Sequence, residues 1–221
     1  MMVQIGDIAP NLKISEWMQG PETNLDQLRG KVILVEVFQV NCPGCFVYGL
    51  PEAIEAYAKH HKEGLEVIGL ATAFEDFDKN TIENLKKLVT TGEVIGEPLR
   101  VLQNRDWLEG NRLRYTIPFP VAMDNVIAHD SEHLDSKIGK IIEHEIPNFE
   151  RLSYGEQMRL RLRIRDYVLH QDYAAETFEM YNLGGTPSAI LIDRKGIVRY
   201  KIFGSDGKMD RYVRELLAES V

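Results

Sequence analysis

Two continuous apolar runs in the first third of the chain predict two buried strands of one sheet. Residues 32–38 read Val-Ile-Leu-Val-Glu-Val-Phe, and residues 65–71 read Leu-Glu-Val-Ile-Gly-Leu-Ala. Runs of this kind are typical of strands that are covered on both faces. Between them, residues 51–61 carry apolar side chains at helical spacing, and Gly64 ends that helix. The unit is a strand, helix, strand crossover, which predicts that the two strands are parallel.

Helical and strand patterns alternate further along the chain. Residues 80–83 resemble a capping box and start a helix, whereas residues 92–115 mix glycine, proline and charges, which predicts a loop with room for a short helix. Residues 119–124 resemble a short strand. Residues 188–203 predict a β-hairpin, and the apolar positions that follow predict a closing helix.

Residues 126–174 have a different character and predict a helical segment inserted within a single domain of residues 1–221. Residues 158–165 read Met-Arg-Leu-Arg-Leu-Arg-Ile-Arg, which is the period of a strand. The helix-like start at residues 153–156 and the length of the stretch favour a helix instead. A lid, a partner-docking surface and a dimer interface are all open as roles for this segment.

Composition and charge exclude some classes of function. The chain has 221 residues, of which 44% are hydrophobic and 27% charged, enough for one large domain. A formal charge of −8 argues against a nucleic-acid surface, which needs a basic footprint. No apolar run approaches the roughly 18 residues of a membrane span, and the first residues do not resemble an export signal. We therefore expect a cytoplasmic protein whose partners include neither nucleic acid nor a membrane.

Cys42 and Cys45 are the only two cysteines, and they stand where the first buried strand gives way to a helix. At such a turn the helix N-terminus stabilises a thiolate, and the spacing lets the second sulfur attack the first. The alternatives are an inert pair and a metal-binding pair. For a zinc site, the adjacent His60 and His61 supply the wrong geometry for the remaining ligands. The pair predicts thiol-disulfide exchange, with no metal and no cofactor.

Four separated motifs match, in order, those of a known superfamily. They are Gly6-Asp7-x-Ala9-Pro10 with Leu28-Arg29-Gly30-Lys31, the strand with Cys42-x-x-Cys45, Phe119-Pro120-Val121-Ala122-Met123-Asp124, and Tyr181-Asn182-Leu183-Gly184-Gly185-Thr186-Pro187. The chain resembles the thioredoxin-like superfamily, specifically the redoxin branch with TlpA-like thiol-disulfide oxidoreductases and, more distantly, peroxiredoxins. The resemblance implies an α/β thioredoxin-like fold, with a central mixed β-sheet flanked by helices and a helical insertion before the cis-proline strand.

The resemblance also implies roles within the cysteine motif. Cys42 is the implied exposed nucleophile, and Cys45 is the implied buried resolving thiol. Pro43 and Gly44 belong to the implied substrate-binding surface, and residues at these positions tune the stability of the thiolate. Most relatives carry an aromatic residue before the first cysteine and the order Gly-Pro between the cysteines, whereas this chain has Asn41 and the order Pro-Gly.

Two positions outside the cysteine motif gain roles from the resemblance. Thr186-Pro187 matches the cis-proline loop, which packs beside the disulfide and pairs with an extended substrate. Glu36 falls where thioredoxins carry a buried acid that accepts the proton of the resolving cysteine. Burial raises the pKa of such a carboxyl toward a useful range. The alternatives for Glu36 are a solvent-facing strand residue and an ordinary salt-bridge partner.

Pro51 lies one residue further from Cys45 than the helix-kinking proline of relatives, which leaves the helix register open.

Two patterns in the insertion each allow a functional interpretation, but a simpler interpretation is favoured for both. His129 and His133 have the i, i+4 spacing of a helical metal site, but a solvated helix start is the favoured interpretation. The four arginines within residues 159–165 suggest an anion or nucleic-acid site. Helical geometry spreads them around the cylinder, so that a solvated, salt-bridged surface is favoured.

The main hypothesis is a cytoplasmic thiol-disulfide oxidoreductase that acts as a reductant through Cys42 and Cys45. Its expected partners are a protein or small-molecule disulfide and a thiol electron donor, and a homo-oligomer is left open. One alternative is a peroxiredoxin-like thiol peroxidase. Two positions argue against it, because this chain has Val35 and Gln39 where peroxiredoxins carry a proline and a threonine or serine. A second alternative is a thioredoxin-fold binding or assembly protein that uses the helical insertion as its contact surface.

Overall fold

The computed structural model describes residues 2–128, 134–169 and 173–219. The chain divides into two units, one of Met1–Val126 with Ala175–Val221 and one of Ile127–Ala174. That both belong to a single domain stays a prediction. The strands are β1 (Ile14–Gln19), β2 (Val32–Phe38), β3 (Leu65–Ala71), β4 (Leu108–Glu109), β5 (Arg112–Leu113), β6 (Val121–Asp124), β7 (Val126–Ala128), β8 (Tyr173–Ala175), β9 (Ser188–Ile192) and β10 (Val198–Phe203). The helices are α1 (Leu50–His60), α2 (Ile82–Thr91), α3 (Gly96–Leu102), α4 (Leu134–Glu145), α5 (Tyr154–Leu169), α6 (Glu176–Met180) and α7 (Met209–Ala218).

A six-stranded mixed sheet organises the first unit, in the order β1-β6-β3-β2-β9-β10. β2 pairs in parallel with β3 on one side and antiparallel with β9 on the other. β3 also pairs in parallel with β6, while β1 and β10 run antiparallel to their neighbours. The predicted parallel crossover, the C-terminal hairpin and the central mixed sheet are thus confirmed.

The continuous apolar run of β2 is explained by two cores, one on each face of the sheet. Leu34 and Phe38 belong to a core shared with α1, α2 and α7. Val35 and Val37 belong to a core shared with α6. Because successive strand residues point to opposite faces, a strand covered on both sides needs apolar residues throughout. Glu36 lies on the face of Leu34 and Phe38, which is the face that α1 covers.

The helix after the cysteines starts with a π-helical turn, Cys45–Gly49, which leads directly into α1. Leu50 donates its backbone N–H to the carbonyl oxygen of Cys45, five residues earlier. Pro51 lies in the first turn of α1 and has no N–H to donate, and the carbonyl of Phe46, five residues earlier, accepts the hydroxyl of Tyr115 over 3.1 Å. A π turn accommodates one residue more than an α turn. It therefore takes up the extra residue between Cys45 and Pro51, and the register of the helix is settled.

Two segments differ from the sequence prediction. In residues 92–115 the short helix that the prediction allowed is α3, but the short hairpin of β4 and β5 was not predicted. The N-terminal segment contains β1, which the apolar pattern did not indicate. The residues of β1 are half-buried or exposed, because this strand lies at one end of the sheet order. A strand in that position does not need the continuous apolar run of a central strand.

In the second unit, α4 and α5 pack through a small apolar cluster. Ile138, Ile142 and Phe149 are buried there, and Leu160 and Ile164 of α5 pack against them. The helical interpretation of residues 158–165 is confirmed. None of the helices within the described residues is both long and apolar enough to cross a membrane.

The strand-like alternation in α5 has a physical explanation. Two residues turn an α-helix by about 200°, so that alternate residues fall on nearly opposite faces. Leu160 and Ile164 pack in the cluster, whereas Met158 and Leu162 are exposed on the other face. A helix with apolar residues on two faces and arginines between them therefore shows a period of two in its sequence.

Candidate active site

Cys42 and Cys45 lie at the start of the helix that follows β2, and a disulfide joins them. Their Cα atoms are 5.4 Å apart. Cys45 is fully buried, whereas Cys42 is half-buried. The backbone N–H of Cys45 donates to Cys42 Sγ over 3.2 Å. Such a donor stabilises negative charge on Cys42 in the reduced protein, and exposure makes Cys42 the sulfur that a second molecule can reach.

The loop before β9 packs against the cysteine motif, although it lies about 140 residues away in sequence. Its Thr186–Pro187 peptide bond is cis, the isomer that the resemblance implies. The carbonyl oxygen of Thr186 lies 3.5 Å from Cys42 Sγ. A Cβ atom on Gly44 would stand 3.3 Å from Cδ of Pro187, so the absence of a side chain at Gly44 permits this close approach. Pro43, between Cys42 and Gly44, is half-buried at the same surface.

Gln39 holds the cis-proline loop in place, a role that the sequence analysis missed. The hydroxyl of Thr186 donates to Gln39 Oε1 over 3.0 Å, and Gln39 Nε2 donates to the carbonyl of Glu75 over 3.3 Å. Gln39 is 1% exposed, so its amide is a buried polar group with partners on both sides. The available signal was a polar residue directly after the predominantly apolar strand β2.

Asn41 stands where most relatives carry an aromatic residue, and its backbone N–H and side-chain amide are hydrogen-bonded. Its backbone N–H donates to Asn80 Oδ1 over 2.8 Å, and its side-chain Nδ2 donates to Asp76 Oδ2 over 2.7 Å. Its Oδ1 accepts the backbone N–H of Glu97, at the start of α3, over 2.9 Å. Asn41 therefore joins the cysteine motif to two neighbouring segments, residues 76–80 and the start of α3, which an aromatic side chain could not do.

Glu36 is buried in the middle of β2, on the face that α1 covers. It is 1% exposed, so the solvent-facing interpretation is wrong. Its sheet partners are Gly69 on β3 and Ala189 on β9, neither of which carries a polar side chain. Within the described residues, its Oε1 has no hydrogen-bond partner. Burial raises the pKa of Glu36 well above its ordinary value, and the charge of Glu52 raises the pKa further.

Gly49 brings the helix close to this carboxyl. A Cβ atom on Gly49 would overlap Glu36 Oε1 and would stand 2.6 Å from Cβ of Pro187. Cys45 and Gly49 are four residues apart in a π turn of about 4.4 residues, so they share a face of the helix. The buried thiol, the buried carboxyl and the cis-proline therefore meet along one side of the helix.

The remaining predicted features are not brought to this site. Val35 is buried in the core on the other face of the sheet. His129 and His133 lie outside the described residues. Across residues 2–128, 134–169 and 173–219, no group of histidine, cysteine and acidic side chains could hold a metal ion. The four arginines of residues 159–165 are exposed on α5, where Arg161 lies 5.3 Å from the centre of the Phe149 ring.

Comparison with solved structures identifies the fold. A thioredoxin-like superfamily protein is similar over 97% of this chain and 98% of its own, with 26% identity and a TM-score of 0.59. The chain has the thioredoxin-like fold. A thiol-disulfide isomerase from Corynebacterium glutamicum is similar over the same shares, with 27% identity and a TM-score of 0.59. The resemblance of the four motifs to the thioredoxin-like superfamily is thereby confirmed, and a general thiol-disulfide function for the Cys42–Cys45 pair is supported.

A more distant structure shares the fold alone. The thioredoxin domain of a thiol-disulfide oxidoreductase from Bacteroides vulgatus is similar over 97% of this chain and 99% of its own, with 13% identity and a TM-score of 0.50. No protein-family model and no curated protein sequence matches the chain.

The thioredoxin-like site provides the groups that thiol-disulfide exchange needs. Cys42 is accessible and receives a backbone hydrogen bond, Cys45 is buried behind it, and Glu36 is a buried carboxyl on the same side of the helix. The arrangement can therefore support nucleophilic attack at one sulfur and proton transfer near the other.

Proposed function

We propose that the protein catalyses thiol-disulfide exchange, with Cys42 as the attacking thiolate and Cys45 as the resolving thiol. One observation carries the proposal: the two sulfurs have unequal environments. Cys42 is half-buried and accepts the backbone N–H of Cys45, while Cys45 is 0% exposed. A thiolate that is stabilised and accessible is the better nucleophile, and a buried thiol three residues away is placed to attack only a disulfide on Cys42.

The reaction proceeds in two exchanges. The Cys42 thiolate attacks one sulfur of the substrate disulfide, a Cys42–substrate disulfide forms, and the other substrate sulfur leaves as a thiolate with the electron pair of the broken bond. Cys45 then gives its thiol proton to Glu36 and attacks Sγ of Cys42. The Cys42–Cys45 disulfide forms and the second substrate thiolate leaves. Two protein thiols are oxidised, and one substrate disulfide is reduced.

The cis-proline loop is the proposed binding surface for the substrate. The Thr186 carbonyl lies 3.5 Å from Cys42 Sγ, so a substrate sulfur bound to Cys42 would lie beside the backbone of this loop. Thr186 and Pro187, with Pro43 and Gly44 across the disulfide, therefore form the proposed contact surface. An extended polypeptide is the substrate shape that such a backbone edge favours, because main-chain groups can pair along it.

Insulin reduction with dithiothreitol as the electron donor tests this function. We expect wild-type protein to accelerate the reaction and Cys42→Ser to reduce the rate to background. Cys45→Ser is the matched variant, because it keeps the nucleophile and removes only the resolving thiol. In the absence of dithiothreitol, it should accumulate a stable disulfide between Cys42 and insulin that mass spectrometry detects. Wild-type activity at background, or equal activity of wild type and Cys42→Ser, would refute the proposal.

We also propose that the physiological direction is reduction of the substrate. The buried Glu36 supports this direction, because a negative charge there would destabilise a thiolate of the reduced pair, and a less stable reduced form makes the pair more reducing. Equilibration with glutathione measures the potential of the pair. A value near or below about −220 mV, within the range of cytosolic reductants, is expected, and a value near about −120 mV, that of a strong oxidant, would contradict it.

A further inference from the structure

A second carboxyl, that of Glu52, lies one helical turn beyond Gly49. Glu52 follows Gly49 by three residues in a continuous helical backbone, so both residues are on the same helix face. Gly49 contacts Glu36 from that face, because a Cβ atom there would overlap Glu36 Oε1. Unlike Glu36, Glu52 is half-buried and thus reaches solvent. Glu52 therefore carries a partly exposed carboxyl one turn along the helix face that contacts Glu36.

Contacts from the loop after β10 hold Glu52 in this position. The hydroxyl of Ser205 donates to Glu52 Oε1. The preceding residue, Gly204, donates its backbone N–H to the carbonyl of Pro187 over 2.8 Å. The loop thus binds both the cis-proline and Glu52. The two contacts hold the Glu52 carboxyl beside the loop that packs on Pro187, the residue that Gly49 also approaches.

The strands beside Glu36 and the helix over it set its electrostatic surroundings. Its neighbours in the sheet, Gly69 and Ala189, carry no ionisable side chain. On the helix that packs over it, Glu52 is the residue whose charge raises the pKa of Glu36. Oε1 of Glu36 has no hydrogen-bond partner among the described residues, whereas Glu52 is partly exposed to solvent.

We propose that Glu52 is a positioning residue for thiol-disulfide exchange, which acts through Glu36 by carrying its proton between the buried carboxyl and solvent. The inference rests on the proposed function and adds a residue to it. Glu36 can accept the Cys45 proton only as a carboxylate, and a fully buried carboxyl has no direct exchange with water. A half-buried carboxylate on the same helix face provides the missing step.

The proton balance of the step is simple. Glu36 first passes its proton to the Glu52 carboxylate, which releases it to water and returns to the charged form. The Glu36 carboxylate then takes the thiol proton of Cys45, which attacks Cys42 Sγ as a thiolate. No electrons are exchanged between the two carboxyls, and the charge of the pair is restored when Glu52 releases the next proton.

A double-mutant cycle on the resolution step tests the proposal. The measured quantity is the single-turnover rate at which wild type, Glu36→Gln, Glu52→Gln and the double variant release a thiolate chromophore from an aromatic disulfide bound to Cys42. We expect Glu52→Gln to slow the step about tenfold, less than the roughly 10²-fold cost of losing a general base, and the double variant to be no slower than Glu36→Gln alone. Independent effects that multiply would overturn the proposal, because they would mean that Glu52 does not act through Glu36.

Glu55→Gln is the matched control for charge. Glu55 lies one turn further along α1, is exposed and pairs with Lys59 over 2.6 Å. Its substitution removes the same charge from the same helix, and we expect the rate to stay within about twofold of wild type. If Glu55→Gln slows the step as much as Glu52→Gln does, a general charge effect would replace the specific role of Glu52.

A measurement that needs no activity separates this inference from the proposed function. Carbon-13 NMR titration of the side-chain carboxyls follows Glu36 in the oxidised protein. We expect Glu52→Gln, but not Glu55→Gln, to lower the pKa of Glu36, because a nearby negative charge is removed. An unchanged titration would overturn the coupling even in an active enzyme. A shifted titration in a protein without exchange activity would overturn the proposed function and leave the coupled carboxyls established.

Discussion

Glu36 and Asp124 are both buried carboxylates of the same sheet, with 1% and 0% exposure, but their surroundings are opposite. Asp124, at the end of β6, accepts the backbone N–H groups of Thr177 and Phe178 over 2.9 and 3.1 Å. It also accepts the hydroxyl of Thr72 over 3.0 Å. Glu36 Oε1, within the described part of the chain, accepts nothing.

The two pKa values reflect this difference. Burial raises the pKa of Asp124, but its hydrogen bonds from Thr177, Phe178 and Thr72 oppose the rise. Burial raises the pKa of Glu36 with no such opposition, and Glu52 adds to the rise. A carboxylate with a full set of donors is an anchor, here for the start of α6. A carboxylate without donors is costly to stability but is free to exchange a proton.

The largest effect is expected on catalysis. Glu36→Gln keeps the size of the side chain and removes its ability to accept a proton. The rate of resolution by Cys45 should fall about 10²-fold at neutral pH, as for loss of a general base. Stopped-flow kinetics with a chromogenic disulfide measure the rate. A change smaller than about threefold would place Glu36 with Asp124 as a structural residue.

The reciprocal substitution should affect stability instead. Asp124→Ala leaves two backbone N–H groups and one hydroxyl without their acceptor, and should cost about 3 kcal/mol of unfolding free energy. Urea denaturation measures this loss. Exchange activity per folded molecule should stay within about twofold of wild type. A large loss of activity in the folded fraction would mean that Asp124 also supports the site.

The pH dependence of stability should separate the two carboxyls further. A buried acid whose pKa is raised in the folded state contributes most stability below its unfolded pKa, and this contribution is lost as pH rises through the folded pKa. For Glu36 the loss begins near its ordinary pKa of 4.5 and extends upward. Relative to wild type, the free energy of unfolding of Glu36→Gln should therefore be higher at pH 8 than at pH 4. The difference should be about 1.4 kcal/mol for each unit by which burial raises the pKa of Glu36. Denaturation curves across this range that run parallel for wild type and variant would contradict the assignment.

The smallest expected effect is on one donor to Asp124. Thr72→Val removes the hydroxyl while keeping the branched shape, and should cost about 1 kcal/mol. The remaining backbone donors of Thr177 and Phe178 would still satisfy the carboxylate. Thermal unfolding should show a modest fall in Tm for this variant. A cost equal to that of Asp124→Ala would show that the hydroxyl is the main anchor.

The sequence by itself predicted the elements whose local pattern is strong. The apolar runs of β2 and β3, the capped start of α2, and the hairpin of β9 and β10 follow from composition and spacing, and each is present. The cysteine spacing indicated redox chemistry, and the motif order indicated the fold. These features depend on short segments, so a linear pattern carries the information.

Other features depend on what lies across space, and the sequence could not supply them. β1 shows no continuous apolar run because it lies at the end of the sheet order. The sequence of α5 resembles that of a strand because apolar residues lie on two faces of this helix. The extra residue before Pro51 was visible, but only the packed helix showed that a π turn absorbs it.

The contrast between the two buried carboxylates is of this second kind. From the sequence, Glu36 was a polar residue in an apolar run, with a proton-relay role and two simpler roles open. Asp124 was a residue at the end of a predicted strand. Their partners come from segments as distant as Thr177, or do not exist within the described residues. Composition and spacing indicated the strands in which the two carboxylates lie, while tertiary structure decided that both are buried and which of them is hydrogen-bonded. The cost of a buried charge depends on its neighbours in space rather than in sequence.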